Sequence, residues 1–170
     1  MHKFAYAFAA MLAVLFAGPA QGAELTYTST LAGNQYPTTT GSPATGAATF
    51  SVDTDSQTID AHIEIHGLKF DALATHLAHS RMGPMHLHRY QGDDVTLILP
   101  FPMGSTYSET ADGFTVTLRH YAYAEGAAIV QSGLSFDQFL AALAHDPIFL
   151  NIHTERFGEG EISGRLVPTT

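Results

Sequence analysis

The sequence predicts an all-β domain, an antiparallel Greek-key β-sandwich with one short α-helix. About seven or eight short segments alternate apolar and polar residues with a period of two, as half-buried strands do. Turn-forming Gly, Pro, Ser, Thr, Asn and Asp residues separate these segments at short intervals. One segment alone has a clear helical period, so packed antiparallel sheets are expected rather than a helical bundle.

The N-terminal segment 1–22 has the features of a secretory signal peptide. A short polar start precedes the apolar residues 4–17, and the small residues Ala20 and Gly22 occupy the −3 and −1 positions of a cleavage site. This apolar stretch is too short to span a membrane. We therefore expect a mature domain of residues 23–170, located in the periplasm or secreted.

The composition excludes several classes of function. The chain has 16 acidic residues against 7 Lys and Arg, a formal net charge of −9, so nucleic acid is not expected as a partner. It has no cysteine, which excludes disulfides, thiolate zinc sites and cysteine nucleophiles. The common hydrolase, P-loop, dinucleotide-binding and zinc-protease motifs do not occur either. Catalysis is therefore not predicted, although it stays open.

The N-terminal half of the mature chain predicts strands joined by turns. The first strand is expected at residues 25–28, before a long Pro-containing connection. Residues 46–68 predict a hairpin that turns at residues 53–57. Its second strand places four apolar residues on one face and four polar residues on the other: Ile59, Ala61, Ile63 and Ile65 against Asp60, His62, Glu64 and His66.

Two segments interrupt this strand pattern. Residues 69–82 predict one or two helical turns. Residues 134–147 predict the one clear helix, because Ser135 can cap it with Gln138 three residues later and Pro147 ends it. Strands are expected on each side of this helix, at residues 95–101, 113–123, 147–155 and 160–168.

The stretch MGPMHLHRY, residues 82–90, contains the first two candidate metal ligands. On a strand, His86 and His88 share a face with their Cα atoms about 6.8 Å apart, so their imidazoles can converge on one ion. Leu87 then points into the core. The alternative is an ordinary strand face that carries two histidines without a metal.

A third ligand is available in the sequence NIHT. His153 shares a strand face with Phe149 and Asn151. If this strand lies beside the His86 strand, three neutral imidazoles can bind copper or zinc and leave a fourth position open. A surface histidine is the alternative. With unperturbed imidazoles, metal affinity should fall below about pH 6.

Two methionines favour copper over zinc at this site. Met82 and Met85 precede the histidine pair, and thioethers combined with imidazoles favour Cu(I). We therefore predict copper, with zinc as the second choice, held by His86, His88 and His153 and completed by Met82, Met85 or a water. The alternative is that both methionines only fill gaps in the core.

The remaining histidines suggest further roles. His62 and His66 could form a second metal site, with a solvated polar face as the alternative. His76 and His79 could also chelate an ion, with His79 as a cap of a helix end as the alternative. His120 follows the alternating apolar residues of its strand, so we expect a hydrogen-bonded core histidine.

Three segments resemble the CHRD domain, named after chordin and frequent in secreted bacterial proteins. They are residues 31–50, 85–94 and 135–166, and the resemblance extends over roughly residues 25–167. Its most specific elements are the H-x-H before a Gly-containing loop and the closing N-x-H-T…G-E-I-x-G-x-L run. The resemblance implies a secreted all-β domain, and with it an alternative function as a metal-independent interaction module. The segment with His76 and the acidic loop after the H-x-H depart from the family pattern.

The same histidines are more distantly similar to those of copper-zinc superoxide dismutase. The sequence shows no counterpart of that enzyme's bridging-histidine zinc loop or of its disulfide. Three functions therefore stay open: copper binding for carriage, storage or protection, a CHRD interaction module, and a dismutase-like copper enzyme. We favour the first.

Overall fold

The computed structural model describes residues 22–37 and 39–169. Apart from Gly22, the predicted signal peptide 1–22 lies outside the described residues. Strands predominate in the part that is described, which confirms the predicted all-β class.

The strands follow in chain order as β1 (Glu24–Ala32), β2 (Thr45–Asp53), β3 (Thr58–His66), β4 (Met85–Gln91), β5 (Asp94–Pro100), β6 (Tyr107–Glu109), β7 (Gly113–Ala122), β8 (Ile148–Ile152), β9 (Ile162–Arg165) and β10 (Val167–Pro168). A 3₁₀ helix (Phe70–Ala72) and the short α1 (Thr75–Ala78) lie between β3 and β4. Two longer helices, α2 (Tyr123–Val130) and α3 (Phe136–His145), lie between β7 and β8.

The strands form one antiparallel sheet in the order β5-β4-β8-β9-β1-β2-β3-β7-β6, and β10 pairs with β1. The sheet curls into a half-barrel, so that its distant parts face each other across a common core. Phe50 of β2 and Phe101, which follows β5, meet edge to face with ring centroids 6.1 Å apart. The curled sheet thus encloses the core as the two layers of the predicted sandwich would.

The β2–β3 hairpin has the predicted turn and faces. The four apolar residues of β3 are buried, whereas His62, Glu64 and His66 are exposed. Each fully buried isoleucine contributes about 1.5–3 kcal/mol relative to an exposed one. Because a shift of one residue would expose the whole apolar face, the alternation fixes the register.

The position expected for His120 was wrong. In β7 the two residues Arg119 and His120 stand opposite the single residue Asp60 of β3, which is a β-bulge. The extra residue interrupts the alternation of faces. The His120 side chain is therefore 85% exposed, its φ is +48°, and its backbone N–H donates to Asp60 Oδ1 at 2.5 Å.

Helix α3 begins with the predicted cap. Ser135 Oγ accepts the backbone N–H of Gln138 at 3.3 Å, and Gln138 Oε1 accepts the backbone N–H of Ser135 at 2.8 Å. Reciprocal capping of this kind satisfies two N–H groups that the first turn cannot pair internally.

Helix α2 is an addition to the single helix that the sequence predicts. It lies over the edge strand β5, where a Cβ on Gly126 would come within 2.6 Å of Leu99 Cδ1. The Tyr123 ring stacks on Phe139 of α3 with centroids 4.5 Å apart. The two helices therefore close one end of the core together.

An ion pair fixes β4 relative to the end of α3. Arg89 Nε donates to Asp146 Oδ2 at 2.7 Å, and a second guanidinium nitrogen lies 2.6 Å from the same oxygen. Both side chains are only about one-fifth exposed. This contact holds the strand that carries the histidine pair against the segment that leads into β8.

Candidate metal centre

Strands β4 and β8 are antiparallel neighbours, as a shared histidine site requires. Their register pairs His86 with Asn151, two residues before His153. The backbone N–H of His153 donates to the carbonyl oxygen of Pro84, two residues before His86, at 2.8 Å. The fold therefore brings the third predicted ligand to the histidine pair.

The three histidines converge. One ring nitrogen from each of His86, His88 and His153 lies within 4.8 Å of the other two, and the Nε2 atoms of His88 and His153 are 3.3 Å apart. Two nitrogens bound at about 2.0–2.1 Å to one tetrahedral ion are about 3.3–3.4 Å apart. The distance between His88 and His153 thus fits a shared ion as well as a direct hydrogen bond. The His86 nitrogen lies within 4.8 Å of the other two and must come closer to bind the same ion.

The hydrogen bonds leave lone pairs facing the site. His153 Nδ1 lies 2.7 Å from the carbonyl oxygen of Gly158, which can only accept, so Nδ1 carries the proton of the neutral ring. The lone pair on His153 Nε2 can then either accept a hydrogen bond from His88 Nε2, 3.3 Å away, or bind an ion. Among the described residues, neither ring nitrogen of His86 nor Nδ1 of His88 has a hydrogen-bond partner. Each such buried group costs about 1–3 kcal/mol, and a bound ion is one way to offset that cost.

The histidines are buried, and burial keeps their imidazoles neutral. Their exposed fractions are 2% for His86, 9% for His88 and 5% for His153. Burial, aided by the two neighbouring imidazoles, lowers the pKa of His86 to about 3. Burial and His153 lower the pKa of His88 to about 4, and burial also lowers the pKa of His153. The unperturbed pKa assumed from the sequence was therefore wrong, and His86 and His88 stay neutral below pH 6 in the folded protein.

Aromatic rings cover one side of the site. The Tyr90 ring stacks beside His88 with centroids 6.1 Å apart, and it meets Phe149 edge to face at 5.6 Å. Tyr36 from the β1–β2 connection packs on both of these rings at 5.1 Å. Ser163 Oγ donates to the backbone oxygen of Tyr36 at 2.7 Å and holds that connection in place.

The loop between β8 and β9 covers another side. The Glu161 carboxylate accepts from Ser42 Oγ and from Thr154 Oγ1, both at 2.7 Å. Thr40 Oγ1 donates to the backbone oxygen of Glu161 at 2.8 Å. These contacts fix the segment next to His153, and sequence reasoning did not assign them. A polar run of the form N-x-H-T…G-E-I among apolar strands was the available signal.

The two methionines occupy different positions. Met85 is fully buried in the main core together with Leu87, on the strand face opposite His86 and His88. The geometry therefore does not support Met85 as a ligand. Met82 is half-buried, and its backbone carbonyl lies beside the His86 ring, where it opposes the fall in pKa. Its role as a ligand stays a prediction.

The other histidines that the structure describes do not belong to a second group of three or more ligands. Within the described ranges, the one group of His, Asp and Glu residues with metal-ligand spacing is His86, His88 and His153. His62 lies 3.1 Å from the Glu64 carboxylate, and His66 lies 3.4 Å from that of Asp112. The exposed His79 contacts its own helical turn through the carbonyl oxygen of Thr75.

The comparisons with known proteins identify the family of the chain. None of the described helices has the length and apolar character that crossing a membrane requires. No curated protein and no solved structure matches the chain, so the distant likeness to superoxide dismutase stays a prediction. The family model for the CHRD domain matches residues 27–166. This match covers nearly the whole chain, and the protein therefore belongs to the CHRD domain family.

Proposed function

We propose that this CHRD domain is a periplasmic or secreted copper-binding protein that serves in copper carriage, storage or protection. The observation that carries the proposal is the convergence of His86, His88 and His153 in a buried position. Three of their ring nitrogens lack hydrogen-bond partners among the described residues. A lone structural histidine is normally satisfied by a nearby donor or acceptor, whereas a metal ligand requires a free lone pair.

The burial and neutrality of the ligands favour Cu(I) over zinc. Three neutral imidazoles do not compensate the charge of a bound ion, and the cost of burying a charge rises steeply with its size. A singly charged Cu(I) is therefore easier to accommodate than Zn²⁺ or Cu²⁺. Met82 supports the same choice because a thioether is a good ligand for Cu(I).

Membership of the CHRD family favours a second candidate, an interaction module that needs no metal. On this alternative the three histidines are a buried polar cluster inside a binding scaffold. The two functions differ in one simple property, the metal content of the purified protein.

Elemental analysis of protein isolated from the periplasm, without added metal, tests the proposal. We expect about one copper per chain and a melting temperature that rises with free copper. Binding to the folded state alone stabilises it by about 2.7 kcal/mol at a hundredfold excess over Kd. Protein that contains no metal, and whose melting temperature does not respond to copper, would favour the interaction module. His145→Ala is a suitable control, because His145 is an exposed histidine at the end of α3.

A further inference from the structure

At the metal centre, Asn151 contributes a polar group without a hydrogen-bond partner, in addition to the histidine ring nitrogens. Its side chain is fully buried, with an exposed fraction of 0%. Its Nδ2 donates to the Tyr90 hydroxyl at 3.1 Å. Its Oδ1 has no hydrogen-bond partner among the described residues. A buried amide oxygen in this condition needs a donor.

The nearest unpaired donor by register is His86. Asn151 and His86 stand directly opposite each other in the β4–β8 pair, and both side chains project from the face that carries the metal centre. Cβ atoms of directly opposite residues are about 4.5–5.5 Å apart, so an amide oxygen and an imidazole nitrogen can meet with a small rotation. Neither ring nitrogen of His86 has a hydrogen bond of good geometry among the described residues, although the backbone oxygens of Met82 and Gly83 lie beside the ring.

We propose that Asn151 is the positioning residue of His86. Its Oδ1 accepts the proton of the His86 nitrogen that faces away from the ion, which fixes the tautomer and leaves the other nitrogen free to bind. This role rests on the proposed copper site. The carbonyl oxygen of Gly158 already has the equivalent role for His153.

Tyr90 gives the amide its orientation. The Tyr90 hydroxyl accepts from Nδ2, so the amide group keeps its oxygen on the other side, free for His86. The result is a chain of contacts from Tyr90 through Asn151 and His86 to the ion. Removal of such an outer partner typically weakens metal affinity by about 10–100-fold.

Two variants of Asn151 test this chain of contacts. Asn151→Leu keeps the shape and removes the acceptor, and Asn151→Asp keeps an acceptor. Leu150→Val is a control in the core on the opposite face of the same strand. Tyr90→Phe supplies a second route if Asn151→Leu does not fold. Cu(I) affinity is measured by competition with a chromophoric Cu(I) chelator, and the tautomer of His86 is read from nitrogen-15 NMR of the histidine rings.

We expect Asn151→Leu to lose about 10–100-fold in Cu(I) affinity and His86 to lose its single tautomer. Asn151→Asp should restore both properties. Tyr90→Phe should produce a smaller loss of the same kind, and Leu150→Val should leave the tautomer unchanged. This inference alone would be overturned if Asn151→Leu kept the wild-type Cu(I) affinity and the His86 tautomer. If Asn151→Leu does not fold, the same result in Tyr90→Phe would overturn it. Failure of the wild type to bind Cu(I) would instead overturn the proposed function and this inference with it.

Discussion

His88 and His153 are 65 residues apart in the chain, yet their Nε2 atoms lie 3.3 Å apart in the folded protein. The β4–β8 pairing produces this contact, because it aligns the start of one strand with the end of the other. The carbonyl oxygen of Gly158 turns the lone pair of His153 towards His88. Two buried nitrogens at this spacing are suited to share an ion, and the predictions below follow from that arrangement.

The first prediction is that the metal-free protein loses stability as the pH falls from about 6.5 towards about 4. Unfolded histidines titrate near 6.5, whereas burial lowers the pKa of His86 to about 3 and that of His88 to about 4. Between these values the unfolded chain binds more protons, so the free energy of unfolding decreases. The slope is at most about 1.4 kcal/mol per pH unit for each histidine.

Urea unfolding of the metal-free protein at several pH values measures this slope. His86→Leu should reduce the slope, because one of the titrating groups is removed, while His145→Ala should leave it close to the wild-type value. The same slope in His86→Leu as in the wild type would show that His86 is not held neutral by the fold.

The second prediction concerns Glu161, which joins two segments around the site. Glu161→Ala removes the acceptor of both Ser42 and Thr154, so the free energy of unfolding should fall by about 1–3 kcal/mol. Copper affinity should fall as well, because Thr154 adjoins His153. Denaturant unfolding and Cu(I) competition measure the two effects.

Glu159→Ala is the matched control for Glu161→Ala. Glu159 lies on the same loop with an exposed side chain, and its replacement removes the same charge. Equal losses in the two variants would mean that the charge of the loop, rather than the two hydrogen bonds, is responsible.

The third prediction concerns processing. The apolar segment 4–17 and the small residues Ala20 and Gly22 have the pattern of a cleaved signal peptide. Mass spectrometry of the exported protein should therefore find a chain that starts at Ala23 or within a few residues of it. Recovery of the exported protein with Met1 intact would contradict the assignment to the periplasm.

Local features of the fold could be predicted from the sequence. The β3 faces follow from alternation alone, and the cap of α3 follows from Ser135 and Gln138 three residues apart. The β-bulge at His120 was missed, although the apolar residues of β7 change from even positions up to Leu118 to the odd position Tyr121. Helix α2 was missed because its N-cap, Ala122, has no capping side chain.

The metal centre could be predicted from the sequence only on the condition that β4 and β8 are neighbours. The spacing of His86 and His88 is local, but the third ligand depends on the neighbour of β4, which only the whole fold determines. Burial, and therefore the low pKa of the cluster, is likewise a property of the fold. The position of Met85, in contrast, follows from the sequence, because Met85 lies two residues before the core residue Leu87 and so shares its strand face. Alternation alone could have excluded it.

Copper titration of the wild type and of three single variants tests the central claim most directly. We predict that the wild type binds one Cu(I) per chain, and that His86→Ala, His88→Ala and His153→Ala each lose most of that affinity, because each removes one of three converging ligands. His145→Ala should bind like the wild type. Wild-type affinity and stoichiometry in all three site variants would contradict the account and leave the interaction module as the better explanation.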